Sequence, residues 1–214
     1  MTENALLARR PWQSADSSYD MQTSRAILTA LALLTSPPFA GTVPAPAPMG
    51  ISLAQAAARQ VGVTRVYDPA YVRIAYPNGD VPAERGVCAD VVVRAFRRVG
   101  VDLQAEVHAD MVKNFGVYPR SWGLRRPDSN IDHRRVPNLM KYFERRGKKL
   151  PLNEPYQPGD VVAWLLPGGL HHIGVVAEDR VPRTDRFYMI HNIGEGARKE
   201  DILHAFEIIG HYRW

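Results

Sequence analysis

The single cysteine of this 214-residue chain, Cys88, lies in ERGVCADVVVRAF, where a turn-rich stretch passes into a helical pattern. A thiol at a helix N-terminus faces backbone N–H groups without partners and the positive end of the helix dipole, and both favour the thiolate. The same N–H groups can hold the oxyanion of a tetrahedral intermediate, worth about 3 kcal/mol per donor in other enzymes. Residue type and position therefore suit nucleophilic attack on a carbonyl. Composition alone gives equal weight to a second reading, in which the thiol is a small buried hydrophobe.

A cysteine nucleophile needs a base, and histidine supplies one near neutral pH. Of seven histidines, His172 in HHIGVV and His191 in YMIHNIG fall in strand-like, apolar surroundings. Strand alternation lets only one of His171 and His172 face the cysteine helix. Gly174 would clear space beside His172 for another element. If the next strand pairs antiparallel, His191 stands beside His172 and can orient it. Core or surface histidines in strands remain the ordinary alternative. Two adjacent histidines and a third nearby also suit a metal, but no further histidine or carboxylate stands at ligand spacing. Neither a metal nor another cofactor is expected.

The elements that must position these groups are legible as patterns. Leu53, Ala56, Ala57 and Val61 predict a first helix over 51–63 with Ser52 as N-cap. Residues 67–86 are turn-rich, with a short strand expected in YVRIAY. Val92, Ala95, Phe96 and Val99 form an i, i+3, i+4, i+7 stripe ending at Gly100, so a helix of about three turns starts at Cys88. Val136, Leu139, Met140 and Phe143 share one face of a later helix, with Asn130 or Asp132 near its start and Gly147 as its stop. The intervening 118–135 is too long for a bare connector. VVAWLL, LHHIGVVA, RFYMIHNI and AFEIIGHYRW then read as four strands of an antiparallel sheet. Helices first and sheet second make an α+β architecture.

Ahead of this domain, residues from Met21 carry Arg25, an apolar run from Ala26 to Leu34 and small residues near Ala40, the layout of a secretory signal. The run is too short for a comfortable membrane span, which takes roughly 20 residues. Five prolines between Pro37 and Pro48 form an extended linker. The expected division is a leader and linker over 1–49 and a folded domain over 50–214, exported and without a stable membrane span. The formal charge of +5 suits an acidic partner. Scattered basic pairs with little aromatic interleaving argue against nucleic acid and for an anionic cell-envelope polymer.

The order of a helix-borne cysteine, PGDVVAW, HIGVV and a strand ending in histidine resembles the NlpC/p60 cell-wall cysteine peptidases of the papain-like superfamily. More closely, GVCADVVVRAFR, NIDHRRVPNL and HNIGEGARKEDIL resemble an exported bacterial family of unknown function related to that superfamily, over about residues 51–214. The resemblance implies a papain-like fold with Cys88 as nucleophile, His172 as general base and His191 as the orienting residue, Asn192 being the fallback. It implies hydrolysis of an amide or peptide bond of peptidoglycan or a related polymer through a thioester. The chain departs from that pattern at Val87 and Ala89, where the peptidases carry Asp and Ser, which leaves substrate preference open.

Residues upstream of the nucleophile and in the long loop supply candidate substrate contacts. Tyr67, Asp68 and Tyr71 stand where loops shape a papain-like cleft, and a tyrosine there can donate to an oxyanion. Arg134 and Arg135, with Arg125 and Arg126, can clamp substrate carboxylates. Packing, turn formation and a solvated basic face account for the same residues equally well. Two rival functions stand beside hydrolysis: acyl transfer on the same fold, and a catalytically silent wall-binding domain.

Overall fold

The protein is described by a computed structural model over residues 47–214. The stretch read from sequence as a secretory signal, and most of the proline-rich linker, lie outside these residues. No helix among the described residues is long and apolar enough to cross a membrane.

Helix α1 spans Met49–Ala58 and buries Leu53, Ala54, Ala56 and Ala57. It begins a turn earlier than the apolar spacing predicts. Pro48 occupies the N-cap, and the Ser52 hydroxyl donates to the Ala47 carbonyl rather than capping the helix. Two short strands, β1 (Val66–Tyr67) and β2 (Arg85–Gly86), pair in parallel.

The loop between them contains no strand at YVRIAY, because side chains satisfy its backbone instead. Asn130 accepts from the Ile74 N–H, and Gln104 donates to the Ala75 carbonyl. Arg94, reaching back from the following helix, binds Asp80, Thr64 and the carbonyls of Val81 and Arg85. One buried guanidinium thus organises a segment that has no ladder of its own.

Helix α2, Cys88–Arg98, is the predicted cysteine helix and buries its first nine residues. Helix α3, Leu103–Asn114, starts at Asp102, whose carboxylate accepts from the Gln104 N–H. Helix α4 covers Val136–Arg145. Asp132 does not cap it. That residue lies in a 3-10 turn, Asp132–Arg134, where its carboxylate takes the Asp128 N–H and faces His108. Pro137 supplies the fixed φ of the first helical turn instead. Gly147, at φ +66°, ends the element as expected.

The C-terminal half forms β3 (Val161–Leu166), β4 (Leu170–Arg180), β5 (Phe187–His191), β6 (Arg198–Glu200) and β7 (Glu207–Tyr212). They make one antiparallel sheet in the order β6-β5-β4-β3-β7. β6 falls outside the four strands read from the sequence, because Arg-Lys-Glu carries no apolar alternation. It needs none as a short edge strand paired to β5.

Both faces of the sheet are covered. Val161, Ala163, Ile173, Val175 and Ile190 pack against the helices. Val162, Trp164, Val176 and Met189 form a second cluster with Leu203, whose carbonyl accepts from the Trp164 indole. The β3 start is fixed by Gly159 and Asp160. Gly159 sits at φ +86°, and a Cβ there would lie 2.1 Å from the Gly50 carbonyl oxygen. Asp160 accepts from His211 at 2.7 Å and from two Arg213 nitrogens at 2.8 Å each. Gly159 thus lets the start of β3 pack against α1, and Asp160 fastens β7 to β3.

Candidate active site

Val87 has an extended backbone and α2 begins at Cys88, so the thiol stands at the first turn as the sequence predicts. Two groups hold that turn. The Asp90 carboxylate accepts the Val87 N–H at 2.7 Å, and Arg134 donates to both Asp90 oxygens at 2.9 and 3.0 Å. Arg134 also donates to the carbonyls of Asp68 and Ala70. Its guanidinium is buried and each of its three nitrogens donates to a protein acceptor, so it braces the helix start and the preceding loop. Arg134 also lines the cavity at Cys88, but its nitrogens are committed to these acceptors, which makes it a brace of that wall rather than a free receiver of substrate.

Cys88 is 4% exposed. Burial pushes its thiol up to about 11, while the backbone amides of Ile173 and Ala89 pull the other way. The helix N-terminus lowers the cost of ionisation without overcoming desolvation. The thiol nevertheless lines a cavity of about 700 Å³ together with Tyr67, Tyr71, Trp122, Arg135 and His171.

The histidines separate across the sheet. β4 pairs Trp164 with His172 and Leu165 with His171, so the two imidazoles leave opposite faces. His171 lies on the face of Ile173 and Val175, which is the helix side, and reaches the cavity that Cys88 lines. His172 lies on the other face, stacked on Trp164 with ring centroids 5.6 Å apart. It is 2% exposed, and burial followed by the charge of His191 lowers its pKa to about 3.

His191 stands beside His172 as expected. Their Nδ1 and Nε2 atoms are 3.1 Å apart, and His191 Nε2 lies 3.0 Å from the Glu200 carboxylate. That second contact is at ion-pair distance but is poorly aimed for a hydrogen bond. The carboxylate favours the proton on His191 Nε2, which leaves Nδ1 to accept from His172. Burial still holds the pKa of His191 down.

The structure thus brings His172 and His191 together, and it places the pair on the far side of the sheet from Cys88. Gly174 serves that face too: a Cβ there would meet the Ile190 carbonyl at 2.9 Å and the Trp164 ring at 3.3 Å. The space it clears belongs to Trp164 and β5, not to the cysteine helix.

The remaining candidates divide in the same way. Tyr67 lines the cavity, and its phenol is held above the ordinary value by burial first and then by Cys88 and Asp90. Tyr71 also lines it but spends its hydroxyl on Asp128. Asp68 accepts from Arg85 and from the Ala70 N–H, which makes it a turn former. Arg135 faces the cavity with its guanidinium 4.5 Å above the Trp122 ring. Asn192 lies on the helix side and donates to the Gly86 carbonyl at 2.9 Å, two residues before the thiol.

Sequence reasoning weighs His171 only as the alternative to His172, and passes over Trp122. The signal for the first is its phase with Ile173 and Val175; for the second, it is a lone aromatic in an overlong loop. Among the described residues no cluster of three or more His, Cys, Asp or Glu side chains is arranged to hold a metal ion.

A family model described as a domain of unknown function (DUF1287) matches residues 54–214. The chain is 49% identical over 203 residues to the "Uncharacterized protein YijF" of Escherichia coli (strain K12), an alignment covering 91% of this chain and 98% of that protein. No solved structure matches significantly.

Proposed function

The chain belongs to the DUF1287 family, and from its site we propose that it is a cysteine hydrolase of amide bonds, with Cys88 as nucleophile and His171 as base. One observation carries this reading: a thiol at a helix N-terminus and an accessible imidazole line the same cavity. The helix-borne cysteine packed on an antiparallel sheet supports kinship with the papain-like NlpC/p60 peptidases. The expected export and the excess of basic residues favour an envelope polymer such as peptidoglycan as substrate.

Because burial disfavours a free thiolate, ionisation accompanies attack. His171 takes the thiol proton as Sγ bonds to the carbonyl carbon. The oxyanion is held by the unpaired N–H groups of the first turn of α2. The C–N bond then breaks, and the amine leaves with the proton from His171. Water, deprotonated by His171, cleaves the thioester and restores the thiol.

The buried, un-ionised thiol favours one rival, a silent binding domain in which Cys88 only packs. Digestion of purified peptidoglycan, followed by mass spectrometry of the fragments, separates the two. The wild type should release new amine-ended fragments and Cys88→Ala none. His171→Ala should lose roughly 10²- to 10⁴-fold in rate, while His172→Gln should stay within several-fold per folded molecule. No release by folded wild type selects the silent domain. Loss in His172→Gln with retention in His171→Ala returns the base role to His172.

A further inference from the structure

The cavity carries a cation that the hydrolytic steps do not use. Arg135 forms no ion pair and no hydrogen bond among the described residues, and one of its guanidinium nitrogens is buried without a partner. Its neighbour Arg134 is neutralised by Asp90. The two carboxylates nearest in charge to Arg135 are engaged elsewhere, Asp132 by His108 and the Asp128 N–H, and Asp128 by Tyr71 and Asn130.

The Arg135 guanidinium carbon lies 4.5 Å from the ring centroid of Trp122, a residue at φ +61° that is otherwise largely exposed. A cation–π contact consumes none of the N–H donors, so the edge of the fork is left without a protein partner. That edge matches a carboxylate in bidentate fashion. Beyond Tyr71 and Trp122, a second cavity of about 630 Å³ is lined by Arg73, Arg125 and Arg126, so the positive character continues past the shared wall.

We propose that the substrate processed at Cys88 carries a carboxylate, and that Arg135, seated on Trp122, receives it and sets specificity. The inference rests on the hydrolase reading of this cavity, so its test measures binding rather than turnover. The full chain carrying Cys88→Ala is titrated calorimetrically with acetylated alanine tripeptide amides. A single L- or D-glutamate occupies each position in turn, against the matching glutamine peptide.

At least one glutamate peptide should bind roughly ten- to hundred-fold more tightly than its glutamine partner, the difference expected of a charge-assisted pair. Arg135→Gln should erase that preference, Arg135→Lys should keep part of it, and Arg125→Gln with Arg126→Gln should leave it. Trp122→Ala, which keeps the charge and removes the platform, should weaken it. Equal affinities for every pair, absence of binding by all of them, or a preference that survives Arg135→Gln overturns the proposal. A preference lost with Arg135→Gln in a protein that releases no peptidoglycan fragments would leave the carboxylate site standing and sink the hydrolase reading alone.

Discussion

Opposing influences act on the Cys88 thiol: helix-end amides favour its anion, and burial among Val91, Ile173 and their neighbours opposes it. Burial dominates, so the resting protein holds a neutral thiol instead of a thiolate–imidazolium pair. Iodoacetamide should therefore modify Cys88 at pH 7 no faster than an ordinary free thiol. The rate should keep rising toward pH 11, followed by intact-mass spectrometry. A plateau already reached below pH 7 would mean a preformed ion pair and contradict this account.

The position of the Cys88 thiol at a helix start was legible from its place ahead of a helical stripe, but which histidine shares its cavity was not. Alternation identifies faces only where one side is polar, and β4 is buried on both, by Ile173 and Val175 on one side and Trp164 and Val176 on the other. An apolar run of that kind leaves the choice between two adjacent histidines to tertiary packing. The bracing role of Arg134 was hidden for a related reason. Its partner Asp90 lies 44 residues away, and no local pattern announces the pair.

At the scale of elements, two buried carboxylates do the positioning. Asp90 joins the start of α2 to the 3-10 turn before α4, and Asp160 joins the start of β3 to the end of β7. Asp160 is 1% exposed and its partners hold its carboxyl below the usual range. Asp160→Ala would strand His211 in the interior and release Arg213. Breaking such a pair from one side costs about 3–5 kcal/mol. Urea denaturation should register that loss as a lower midpoint at unchanged slope, while the alkylation rate of Cys88 in the native protein stays as it was. A midpoint within experimental error of wild type would remove Asp160 from its role as a fastener. Helices α2 and α4 and four of the five sheet strands were predictable from periodicity. β6 and the β1–β2 pair were not, since strands of two or three residues owe their existence to a neighbour's free edge and not to their own composition.

For the molecule as a whole, acid is the condition that tests how its histidines are buried. His172 is lowered to about 3 and His133 to about 4, both chiefly by burial, and His191 is lowered as well. In the unfolded chain each returns to about 6.5. Below that pH the unfolded state binds protons that the native state refuses, so stability is complete above about pH 6.5 and falls as the pH drops toward 4 and then 3. Each such histidine contributes a slope of up to about 1.4 kcal/mol per pH unit. Urea midpoints between pH 7.5 and 4.5 should fall accordingly, and His133→Gln should flatten part of the decline. A midpoint constant across that range would show these imidazoles to be freely protonated.

The opposite orientation of His171 and His172 also supplies a rule for reading other chains of this kind. Along β4 the positions that face the cavity share parity with Ile173 and Val175, and those that face Trp164 share parity with Gly174. A chain with histidine only at the odd position would keep the proposed dyad and lose the buried pair. A chain with histidine only at the even position would keep a motif that matches letter for letter and lack an imidazole in the cavity of its cysteine.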